Sequence, residues 1–79
     1  MIPFAQLTAG EWAEVVEIDG DACYVQHLRE LGLHPGTAFQ LVRHGSPAMV
    51  RVHGSVFAVR FCDECSLWVQ PTQPVLINN

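Results

Sequence analysis

The sequence predicts a mainly β protein: a small, closed or nearly closed β-barrel of about five short strands, with one short α-helix between the first two. Three observations carry this expectation. The chain has 79 residues, 49% of them hydrophobic, which suits a single domain over 1–79 with a compact core. Glycine and proline cut it into short pieces. Only one piece has a helical period, and the others are rich in β-branched and aromatic residues.

The elements follow in order. After Phe4 and Leu7, Ala9-Gly10 marks a turn, and Trp12 to Ile18 reads as the first strand. Asp19-Gly20-Asp21 ends that strand, and Asp21 is placed to cap a helix over Ala22–Leu31. Ala22, Val25, Leu28 and Leu31 recur at three-residue spacing as its apolar stripe. Gly32 suits the left-handed residue that ends a helix, Leu33 packs back onto the stripe, and Pro35 prevents continuation. The second strand spans Thr37 to Arg43, and His44-Gly45-Ser46-Pro47 is a loop. Met49 to His53 alternates, with Val50 and Val52 on one face and Arg51 on the other. Gly54-Ser55 reads as a two-residue hairpin turn into Val56–Arg60. Leu67 to Val69 is the last strand, Pro71 and Pro74 end regular structure, and residues 70–79 form a polar tail.

Composition narrows the function. Eight carboxylates face four arginines and no lysine, for a formal net charge of −4. That argues against nucleic-acid binding, which neutralises phosphates, and against attraction to anionic lipid. Size excludes a multi-domain enzyme, and the lack of lysine excludes P-loop and Schiff-base chemistry. Met1 to Leu7 does not read as a signal peptide, and no apolar run approaches the roughly 18 residues of a bilayer span. Three cysteines fit reduced thiols better than a disulfide framework, so the expected compartment is the cytoplasm.

At Leu31-Gly32-Leu33-His34-Pro35-Gly36, a helix ending in a Leu-Gly-hydrophobic-x-Pro-Gly turn before a strand, the chain resembles the FeoA family. Leu7-x-x-Gly10 and Gly20-Asp21 resemble that family's opening. Val50-x-Val52-x-Gly54 with Phe57 to Arg60 resembles its central hairpin, and Cys65-x-Leu67-x-Val69 its last strand. The likeness runs in order from residue 7 to 69. It implies an SH3-like barrel with Leu31, Gly32, Leu33, Pro35, Gly36 and Gly54 as structural positions. It also implies a non-enzymatic bacterial accessory protein of ferrous iron transport, docking on the cytoplasmic part of the FeoB membrane iron transporter. The same barrel ends iron-dependent repressors of the diphtheria toxin repressor type, but this chain carries no DNA-binding helical domain. Two departures stand out: Cys65 occupies the family's alanine position, and Asp63-Glu64 lie where relatives carry lysines.

Candidate chemistry is sparse. Cys62-x-x-Cys65 offers two thiolate ligands, half of a tetrahedral zinc site, and no second such pair exists. Cys23, His27, His34, His44 and His53 could complete it as a weak iron or zinc site, and the alternative readings are a metal sensor or carrier, or a stand-alone repressor-type SH3-like domain. No cofactor is required. Against that stands ordinary packing of Cys65 and solvent-facing histidines. No nucleophile or paired acid sits in a catalytic setting, so no enzymatic activity is expected. Leu33, His34 and Pro35 at the helix end, with Arg51 on its strand, are the candidate partner contacts, although Leu33 is also accounted for by closing the cap. Trp12 and Trp68 suit either core or contact. Edge strands leave self-association open. With only four arginines, the docking surface is expected to be apolar, or its partner locally basic.

Overall fold

The structure, a computed structural model, describes residues 1–60 and 66–73. Six strands form one antiparallel sheet: β1 (Ile2–Pro3), β2 (Trp12–Asp19), β3 (Ala38–Arg43), β4 (Ala48–Val52), β5 (Ser55–Val59) and β6 (Ser66–Pro71). Their order is β1-β6-β2-β3-β4-β5, with helix α1 (Ala22–Glu30) connecting β2 to β3. Strands at both ends of that order contribute to one apolar cluster that includes Val15, Phe39, Leu41, Val50, Val59 and Val69. The sheet therefore curls around a single core, and it stays open between β1 and β5. The expected fold class holds, as a small barrel with an open seam. No described helix is long and apolar enough to cross a membrane.

The sixth strand is β1, which pairs Ile2 with Val69 and Pro3 with Trp68 and leads into a 3-10 turn at Phe4–Gln6. A two-residue strand containing proline has no sequence pattern to announce it. Phe4 beyond it is buried and stacks on Phe39, ring centroids 5.9 Å apart. The His44 imidazole Nε2–H donates to the Leu7 carbonyl oxygen, and its ring meets Phe4 edge-on at 6.0 Å. These contacts fasten the amino-terminal segment to the start of the β3–β4 loop.

Two bulges interrupt strand alternation. Val15 pairs with Val69 but Glu17 with Trp68, so Val16 is the extra residue; Leu41 pairs with Val50 but Arg43 with Met49, so Val42 is. Both valines are turned outward and exposed. The β4–β5 turn and the end of β6 differ from expectation. The β4–β5 turn is His53-Gly54, one residue earlier than Gly54-Ser55, because Val52 pairs with Ser55. Both turn residues have positive φ, 51° and 84°, the geometry whose twist matches a hairpin. β6 runs to Pro71, which pairs with Ala13, so the tail begins later than residue 70. Trp12 and Trp68 are half-buried and outside the core, Trp68 Nε1–H donating to Asp19 Oδ2 at 3.3 Å.

Helix α1 is capped as expected at both ends. Asp21 Oδ1 accepts from the Tyr24 amide at 2.8 Å. At the other end Leu33 N–H donates to Leu28 O (2.9 Å) and Gly32 N–H to Arg29 O (3.0 Å), which is a Schellman cap. Gly32 has φ 96°, a backbone state that costs an L-residue about 1–2 kcal/mol. The stripe differs in register: Tyr24, Leu28 and Leu31 face the core, while Ala22 is exposed and Val25 only half-buried. Leu28 is the only fully buried helical residue, and Leu33 beside it is also fully buried.

Two predictions follow from this attachment. Leu33→Ala should lower unfolding free energy by about 2–5 kcal/mol in denaturant titration, the cost of a cavity under the cap. Burial also pushes the Tyr24 phenol up to about 12 from the ordinary 10. The unfolded phenol ionises near 10 while the folded one resists. Stability from Tyr24 is therefore intact below pH 10 and is lost as pH rises through 12. Ultraviolet titration should show one phenol, the chain's single tyrosine, ionising near 12, and a midpoint at 10 would contradict the packing of α1.

Candidate interaction site

The cap turn and the β4–β5 hairpin meet at one end of the molecule. A Cβ built on Gly32 would lie 3.4 Å from Val52 Cγ1 and 3.8 Å from the His53 ring, so the turn that ends α1 rests against the hairpin tip. From there the chain returns to β2: Gly36 N–H donates to Val15 O and Val15 N–H to Thr37 O, both at 2.9 Å. Thr37 is buried, and its Oγ1 hydrogen-bonds the His34 imidazole, 3.1 Å from Nδ1. His34 is thus held at the surface by its neighbour three residues on.

The expected contact residues do not assemble into one patch. Leu33 is 0% exposed, so it closes the cap and is not available to a partner. His34 and Pro35 are exposed on the cap turn. Arg51 is exposed as expected, but it projects from the face of β4 opposite Val52, the residue on which the cap turn rests. It belongs with a different surface, the outer face of β3–β4–β5. There Gln40 and Arg51 are register partners, Arg51 and Val56 likewise, and Met49 lies between Arg43 and Ala58. This outer face mixes exposed apolar side chains with arginine. Sequence reasoning placed Arg51 on it but not Val42 and Arg43; Val42 follows from alternation with Leu41, whereas the bulge that turns Arg43 outward has no signature in the strand pattern.

The candidate metal pair, Cys62 and Cys65, lies outside the described residues. Cys23 is exposed on α1, four residues before exposed His27. His44 is committed to Leu7, and His53 sits in the hairpin turn. Among the described residues no three His, Cys, Asp or Glu side chains are placed to hold a metal ion. A hollow of about 280 Å³ is lined by Phe4, His44, Ala48 and Leu67, among others. It is largely apolar, with no convergent set of acid, base and nucleophile.

Comparison with known proteins agrees with this architecture. No curated protein matches the sequence. Among solved structures, the crystal structure of an iron uptake regulatory protein, FeoA, superposes with a TM-score of 0.72 at 25% identity. The likeness covers 87% of this chain and 97% of that one. The model of the FeoA domain matches residues 2–71, which takes in every described strand, both hairpins and the Leu31–Gly36 cap. The resemblance seen in the sequence is therefore correct, and this chain belongs to the FeoA domain family.

Proposed function

We propose that this chain is a non-enzymatic, cytoplasmic accessory protein of ferrous iron transport that docks on the cytoplasmic part of a FeoB-type membrane transporter. The observation that carries the reading is the family match over residues 2–71, supported by the likeness to a protein described as an iron uptake regulator. The architecture suits the role. A barrel this small spends its interior on packing, so what it offers a partner is its outer surface. Docking alters the transporter only through a difference in affinity between two of its conformational or nucleotide states. No cofactor is needed for that, and iron enters as the partner's cargo.

Co-purification of the tagged chain with the transporter tests the reading. Association is expected, with reduced recovery for Arg51→Glu and none of the unfolding that Leu33→Glu would cause at a buried position. Absence of any association contradicts it. Equilibrium titration of the reduced chain with ferrous or zinc ion separates the metal-carrier alternative. Docking alone predicts no tight stoichiometric binding, and tight binding lost in the Cys62→Ser, Cys65→Ser double variant would replace this reading with that one.

A further inference from the structure

Two edges bound the open sheet, and they are unlike. β1 is two residues long, and Pro3 within it has no N–H to offer a neighbouring strand. β5, Ser55–Val59, is five residues long and contains neither proline nor charge. Its register decides which groups face outward. In a two-residue hairpin the flanking residues, here Val52 and Ser55, exchange both backbone hydrogen bonds, and bonded pairs recur at Val50–Phe57 and Ala48–Val59. The N–H and C=O groups of Val56 and Ala58 therefore point away from β4. No backbone hydrogen bond among the described residues takes them up. Val56 itself is 44% exposed. Proteins normally blunt an apolar edge of this kind with charge, proline or a bulge, and β5 carries none of these.

Charge is segregated around the same edge. Residues 38–60 carry Arg43, Arg51 and Arg60 and no carboxylate. Six of the eight carboxylates, Glu11, Glu14, Glu17, Asp19, Asp21 and Glu30, precede them, on β2, on α1 or beside these elements, and Asp63 and Glu64 follow them outside the described residues. Arg51 is the register partner of Val56, and Arg60 immediately follows β5. Among the described residues no ion pair engages any of the three arginines.

We propose that the β5 edge is a strand-addition site for an extended, acidic protein segment. The proposal rests on the docking reading and specifies its surface. Main-chain bonds to Val56 and Ala58 would hold the added strand, while its carboxylates lie beside Arg51 and Arg60. A second copy of this chain would bring together two edges that carry arginine and, among the described residues, no carboxylate. A long polyanion would extend onto the carboxylates of β2 and α1. A short acidic strand meets neither difficulty.

The test uses the whole chain and a short labelled peptide alternating glutamate and valine, with a lysine–valine peptide as control. The glutamate peptide should bind saturably, slow amide exchange at Val56 and Ala58, and bind about tenfold more weakly to Arg51→Glu. Val56→Pro removes an outward N–H while leaving the β4 bonds intact, so it should lose binding with its thermal midpoint near that of the parent. Should that variant fail to fold, Arg51→Glu decides alone. Equal binding of both peptides, no binding of either, or protection at β1 or α1 would overturn the proposal. Concentration-dependent dimerisation through β5 would overturn it in favour of a second copy. Because the probe is a synthetic peptide, its failure leaves docking on the transporter possible at another surface. Failure to co-purify with the transporter leaves peptide binding untouched.

Discussion

The reversal of the chain at Gly32 is the constraint on which the rest of the structure depends. Helix α1 has one fully buried side chain, Leu28, and would be poorly held by its stripe alone. The left-handed backbone at Gly32 turns the chain so that Leu33 drops beside Leu28, both 0% exposed, and so that two amides satisfy the carbonyls of the last turn. From this turn Gly36 and Thr37 reach the backbone of Val15, which aligns β3 on β2. The same turn rests on Val52 and His53, which places the β4–β5 hairpin. One residue's backbone freedom thus couples the helix to the two halves of the sheet.

That arrangement divides the molecule by function. The cap, the amino-terminal clasp through Phe4 and His44, and the shared core are occupied with holding the fold. The outer face of β3–β5 contributes only its inward residues to the core and leaves arginines and valines outside. The whole-chain charge of −4 conceals this division. Counting four arginines suggests too little positive charge to hold an acidic partner. Three of them gathered on a stretch without carboxylates make a locally basic surface on an acidic protein.

What the sequence made legible and what it did not separate along physical lines. The helix, both of its caps and the central strands were readable because local signals and long-range packing agree there, as at Asp21, Gly32 and the alternation of Val50 and Val52. The strand β1 was not, since Ile2 and Pro3 become a strand only by pairing with β6, more than sixty residues away. Val16 and Val42 face outward as alternation requires, but nothing in the pattern announces the bulges that turn Glu17 and Arg43 outward after them. His53 lay outside the expected turn because a non-glycine residue at positive φ is uncommon, and the register of β5 shifted with it. Of the expected contact residues, Leu33 was better described by its role in the cap than by an exposed one. Arg51 faced outward as alternation required.

On this reading one surface, the outer face and free edge of β3–β5, meets the partner while the cap and the acidic β2–α1 side do not. Amide hydrogen exchange of the whole chain, alone and in complex with the transporter's cytoplasmic part, tests it residue by residue. New protection is expected at Val56 and Ala58, with helix α1 (Ala22–Glu30) exchanging as it does in the free protein. Protection confined to that helix and to β2, with β5 unchanged, would contradict it.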